Sequence, residues 1–173
     1  MSPAFMTFKE LEAGADVFID ANIFIYHFLD VSADCSDFLA LLEEGGYRGL
    51  TSVNVLAEVL HRMMMMEART KGLVKSPGTL KQLNKKPDLI RRLVKYSTIA
   101  QVVPDMGISI LPLTPEHLLA SQAVRSQYGL LINDSLIVTM MKESGVINLA
   151  TNDEAFRRVE GIRVYGPADV KRK

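Results

Sequence analysis

The stretch that decides the fold is VFIDANIFIY, residues 17–26. Eight of its ten residues are apolar, and the two exceptions are Asp20 and Asn22. A short apolar run bounded by polar residues suits a buried parallel strand, here VFID (17–20), and from Asn22 to Leu29 the spacing turns helical. An ionised carboxylate at such a junction is costly to bury unless something pairs with it.

Outward from that stretch the chain alternates between strand and helix patterns. A helix is expected from about Ser36 to Glu44, ended by Gly45-Gly46, and RGLTS (48–52) forms a second strand. Ser52 is placed to cap the helix VNVLAEVLHRMMMM, whose Val53, Leu56, Val59, Leu60 and Met63 recur at helical spacing. Residues 70–86, with Ser-Pro-Gly and many lysines, form a loop or a mobile helical arm. DLIRRLVKYSTIAQVV (88–103) is an amphipathic helix stopped by Pro104. ISILPL (108–113) is a third strand; Thr114 caps the next helix, with Pro115 at its first position and Gly129 after Tyr128. NDSLIVTMMKES (133–144) is a helix ended by Gly145. VINLA (146–150) is a fourth strand, TNDEAFRRV a short helix and IRVYG (162–166) a last, edge strand. This order predicts an α/β fold with right-handed crossovers and a parallel sheet covered on both faces.

At 173 residues, 48% hydrophobic and 23% charged, the chain fits one globular domain. The single Cys35 has no disulfide partner or ligand spacing, which suits a reducing compartment and a filler role in the core. The N-terminal residues lack the basic and apolar regions of a signal peptide, and no window approaches the ~20 apolar residues of a membrane span. A soluble, cytoplasmic protein is expected. Net charge is zero, yet residues 67–97 hold nine basic residues against Glu67 and Asp88, a local balance of +7 that leaves −7 elsewhere. A basic segment on an acidic body suits either an enzyme acting on a polyanion or a solvated helical hairpin. The run Met63–Met66 fits ordinary core or a packing surface.

In open parallel sheets, sites form beyond the carboxyl ends of the strands. Asp20 ends the first strand, Glu58 lies in the helix after the second, Asp134 opens the helix 133–144, and Asp153 follows the fourth strand. Each also has a plainer role. Asp20 and Asp153 can cap helices, and Thr151–Glu154 fits a capping box. Glu58 is spaced for an ion pair with Arg62. Asp134 shares a helix face with Ile137, Val138 and Met141. His27, His61 and His117 show neither metal-ligand nor nucleophile spacing, and no glycine-rich phosphate loop is present. What remains is an all-oxygen cluster, whose mutual repulsion a hard divalent cation relieves. Such ions activate water and orient a phosphodiester.

Taken in order, VFIDANIFIY, SVNVLAEVLHRM, LLINDSLIVTMMKESG and INLATNDEAF resemble the PIN-domain family of nucleases, above all its prokaryotic branch of VapC-type toxins. The resemblance covers about residues 16–166. It implies a three-layer α/β/α fold around a mostly parallel sheet of about five strands. It also implies a ribonuclease dependent on Mg²⁺ or Mn²⁺, with its four acids at Asp20, Glu58, Asp134 and Asp153. Asn22 and Thr151 match the supporting polar positions. A homodimer is implied as well, and in toxin–antitoxin members a small antitoxin protein blocks the site.

Two departures from compact toxin members stand out: a 15-residue lead before the first strand, and a longer, more basic section at 66–103. That section is a candidate RNA-holding arm, dimer surface or antitoxin seat; Arg69, Lys71, Arg91 and Arg92 within it, and Arg62 just before it, are candidate RNA contacts. Two other readings compete with this one. An Asp-nucleophile phosphatase usually carries D-x-D-x-T where this chain has D-A-N-I-F, and a non-catalytic RNA- or protein-binding module has no need of four acids.

Overall fold

In the computed structural model, which describes residues 6–171, a six-stranded sheet forms the spine of the molecule. Its strands are β1 (Met6–Thr7), β2 (Asp16–Ile19), β3 (Arg48–Ser52), β4 (Ser109–Leu111), β5 (Asn148–Ala150) and β6 (Arg163–Gly166). They lie in the order β1-β6-β5-β2-β3-β4, and every neighbouring pair is parallel. The sheet is therefore wholly parallel and one strand wider than the sequence predicts. The extra strand is β1, which pairs with β6 so that IRVYG is not the edge. Two residues carry no periodicity from which a strand is legible.

Val17, Phe18 and Ile19 of β2 are completely buried, as a strand covered on both faces requires. The helices are α1 (Ala21–Phe28), α2 (Ala33–Glu43), α3 (Val53–Thr70), α4 (Thr79–Lys85), α5 (Pro87–Ile90), α6 (Ile99–Asp105), α7 (Pro115–Tyr128) and α8 (Ile132–Ser144). The connections β2–β3 and β3–β4 step one way across the sheet, and β4–β5 steps back past β2. Right-handed crossovers then put α1 to α6 on one face and the α7–α8 hairpin on the other. That reversal makes the carboxyl ends of β2 and β5 a topological switch point. Among the described residues no helix is long and apolar enough to cross a membrane.

Several local expectations need correction. The helix expected at 36–44 starts one turn earlier, because Ser32 caps it by accepting from the Cys35 amide. Ser52 precedes α3 but makes no capping bond; its hydroxyl donates to Asn54 Oδ1 instead. Residues 88–103 do not form one helix. They break into α5, a bend, a 3-10 turn at Tyr96–Thr98 and α6, and Pro104 lies inside α6 rather than stopping it. The cause of the break is Glu67 on α3, whose carboxylate accepts from the amides of Val94 and Tyr96, at 3.1 and 3.0 Å, and from Lys71 Nζ at 2.6 Å. Those bonds replace helical ones with a turn pinned to α3. Ala68, Val74, Leu83 and Leu93 bury one another there in a small cluster separate from the main core.

Candidate active site

Asp20 is the residue between β2 and α1. Its Oδ1 accepts from the Ala21 amide at 2.6 Å, so it caps α1. Its Oδ2 accepts from Asn22 Nδ2 and from Thr151 Oγ1, both at 2.7 Å. Thr151 follows β5, the strand beside β2, so two chain segments about 130 residues apart are joined at the switch point. Asn22 also donates to Thr151 Oγ1 at 3.0 Å, and its Oδ1 accepts from the Asn152 amide at 3.0 Å. Thr151 Oγ1 in turn accepts from the Asp153 amide at 3.1 Å. Asp20, Asn22 and Thr151 thus form a closed polar network. Burial of such groups is tolerable only when they satisfy one another in this way.

Asp20 and Asn22 face a cleft of about 740 Å³, which Glu58, Asp134 and Asp153 also line, with Thr151 buried behind them. Glu58 comes from α3, Asp134 from the first turn of α8, and Asp153 from the turn after β5. Burial pushes the Asp20 carboxyl up to about 7. The Thr151 hydroxyl and Ala21 amide oppose the shift, and the charges of Glu58 and Asp134 add to it. Burial likewise raises Asp134 to about 6, reinforced by Asp153 and Glu58 and opposed by the Leu131 backbone and Arg158. Carboxylates that raise one another are short of positive charge.

Besides Asp20, two of the carboxylates each rest one oxygen on the protein itself. Asp153 Oδ1 accepts from the Ala155 amide at 2.8 Å, and Glu58 Oε1 pairs with Arg62 at 3.1 Å. Accordingly, among the described residues no three His, Cys, Asp or Glu side chains already enclose a common metal point. The donor set nevertheless fits a hard divalent cation: it is all oxygen, and two of its members are short of compensating charge.

The structure also places residues that sequence reasoning missed. Tyr26, Asn133 and Asn152 line the same cleft, together with the exposed apolar Leu131 and Ile132. Asn152 is almost fully buried, and its Nδ2 reaches the Lys171 carbonyl at 2.8 Å. Its position between Thr151 and Asp153 was the available signal. The basic candidates separate. Arg62 lines the cleft, whereas Arg69 donates to Thr79 Oγ1 and Lys71 bonds Glu67 and the Arg92 carbonyl. Arg91 pairs with Asp88.

A parallel three-layer sandwich whose switch point collects carboxylates belongs to the α/β proteins that work at strand ends. The PIN domain family model matches residues 17–162, and the chain belongs to the PIN-domain family. Among solved structures it is similar to VapBC2 from Rickettsia felis bound to a DNA fragment from its promoter. The identity is 18% and the TM-score 0.54, over 88% of this chain and 98% of that one. It is also similar to a toxin–antitoxin complex from Klebsiella pneumoniae, at 17% identity and a TM-score of 0.53 over 90% of this chain and 98% of that one. At such identities the likeness concerns the fold. No curated protein gives a sequence match.

Proposed function

We propose that the chain is a divalent-metal-dependent endoribonuclease that hydrolyses RNA phosphodiester bonds, and that it is the toxin of a toxin–antitoxin pair. The observation that carries this reading is the convergence of Asp20, Glu58, Asp134 and Asp153 on one cleft, where burial and mutual repulsion raise Asp20 and Asp134. Asp20, Asp134 and Asp153 are assigned to the principal cation, Mg²⁺ or Mn²⁺, with Glu58 supporting it or a second one. A bound cation would supply an activated water and charge compensation for the phosphodiester. Asn22 and Thr151 hold Asp20 in a fixed rotamer, so little reorganisation is left for the reaction.

Family membership supports the nuclease class, and the toxin–antitoxin assemblies of similar fold support a small antitoxin protein as partner. A homodimer working in the cytoplasm completes the proposal, with the arm at 66–103 offering positive charge to the RNA backbone. The test is cleavage of an end-labelled RNA by wild type and Asp20→Asn in Mn²⁺. Loss of cleavage with an unchanged circular-dichroism spectrum is expected; cleavage retained by rigorously purified Asp20→Asn protein overturns the assignment.

A further inference from the structure

Arg62 is the one positively charged residue among the described residues that line the cleft. It stands one helical turn after Glu58 on α3, and both its Nε and its Nη2 approach the same carboxylate oxygen, Glu58 Oε1, at 3.1 Å. The two side chains are 60% and 32% exposed, so the pair sits at the mouth of the cleft in contact with water. Exposed pairs of this spacing are weak and readily exchanged. Three of the other four candidates are engaged elsewhere: Arg69 with Thr79, Lys71 with Glu67, Arg91 with Asp88.

We infer that Arg62 is an exchangeable counter-charge: it neutralises Glu58 while the cleft holds no cation, and it passes to a substrate phosphate when a cation takes Glu58. The inference rests on the metal-dependent reading given above and assigns Arg62 a substrate-contacting role within it. Competition for one carboxylate is what drives the exchange. A guanidinium and a divalent cation compete for the same carboxylate, and the displaced guanidinium remains in the cleft with its fork of N–H donors unpaired. A phosphate oxygen pair is the acceptor that this planar fork matches best. One residue therefore couples cation occupancy to polyanion affinity: without the cation Arg62 is tied down, and with it Arg62 is presented.

Two measurements test the exchange, and both residues are exposed enough for their substitution to leave the core untouched. In the first, Mn²⁺ is titrated calorimetrically into RNA-free protein. Removing the competitor in Arg62→Ala should tighten Mn²⁺ binding by about two- to threefold, the scale of an exposed i,i+4 pair. Unchanged or weaker binding overturns the inference, as does a wild-type protein that binds no Mn²⁺. Unchanged or weaker binding by Arg62→Ala leaves the metal-dependent reading standing; absence of wild-type binding removes both.

In the second, a fluorescein-labelled single-stranded RNA is bound in chelator, where no metal-dependent cleavage occurs, by wild type, Arg62→Ala, Glu58→Gln and the double variant. Glu58→Gln frees Arg62 and should bind tighter than wild type. The double variant should lose that gain, about tenfold, and its logarithmic salt dependence should be shallower by about 0.7, one phosphate contact on a single strand. Equal affinity and equal salt slope in Glu58→Gln and the double variant overturn the inference, because Arg62 would then be no more than the structural partner of Glu58.

Discussion

Replacing Asp20 by asparagine should make the metal-free protein more stable in mild alkali, and the structure sets the size of the effect. The folded carboxyl holds its proton up to about 7, whereas the same group in the unfolded chain releases it near 3.8. Between those values the folded state binds more protons than the unfolded one, so stability falls as pH rises through the interval. Above pH 7 the whole difference opposes folding, about 4 kcal/mol at 1.36 kcal/mol per unit. Asparagine abolishes that charge and keeps the cap, since its Oδ1 can still accept from the Ala21 amide. It forfeits the acceptor at Oδ2, where Asn22 Nδ2 and the Thr151 hydroxyl now converge, a loss of about 2 kcal/mol. The net gain at pH 8 is about 2 kcal/mol, a melting temperature about 4–8 °C higher for a chain of this size. At pH 5 wild-type Asp20 is protonated in the folded state and recovers more than half of that penalty, so the two proteins should melt together. The assay is thermal melting in chelator at pH 8 and pH 5. A difference that does not change between those pH values refutes the charge-burial argument, and so does an Asp20→Asn protein that melts below wild type at pH 8.

Three further expectations follow from the same geometry. Thr151→Val keeps the shape but removes the hydroxyl that holds Asp20 down, so the acid limb of the pH–activity profile should move to higher pH; an unmoved limb refutes the link. Burial alone would raise the Glu67 carboxyl, yet Lys71 and the amides of Tyr96, Val94 and Lys95 hold it at about 2, so Glu67 contributes about 2–3 kcal/mol above pH 4.5 that is lost as pH falls toward 2. Glu67→Gln should therefore speed hydrogen exchange across residues 71–98 while β2 and β5 keep their protection; loss of protection in both would mean that the arm and the sheet unfold as one unit. A Cβ at Gly49 would lie 3.0 Å from Leu42 Cδ2, 3.1 Å from Ile108 Cγ1 and 3.2 Å from Ile19 Cδ1, so Gly49→Ala should lower stability by about 1–3 kcal/mol in a denaturant titration, and an unchanged midpoint would show that those side chains yield freely.

How much of this was legible in the sequence depends on the range of the interaction involved. Val17-Phe18-Ile19 announces itself because a strand buried on both faces needs an apolar run, and the turns after α7 and α8 do so because Gly129 and Gly145 adopt positive φ, at 64° and 71°. The break at 91–95 was not legible, since the group that causes it is Glu67, 27 residues before the amide of Val94. Arg62 and Glu58 were visible as a spaced pair, but not that the pair stands at the mouth of the cleft.

The four acids lie in between. Their arrival at strand ends is local and readable, while the state of each oxygen is not. For Asp20 the sequence presents capping and cation binding as rival explanations. In the structure the two roles are compatible: the Ala21 amide that makes Asp20 a cap, together with Asn22 and Thr151, fixes the carboxylate in the rotamer that lines the cleft. A side chain held by three donors and still raised to about 7 has hydrogen bonds enough and lacks only charge, which a further neutral donor cannot supply and a cation can.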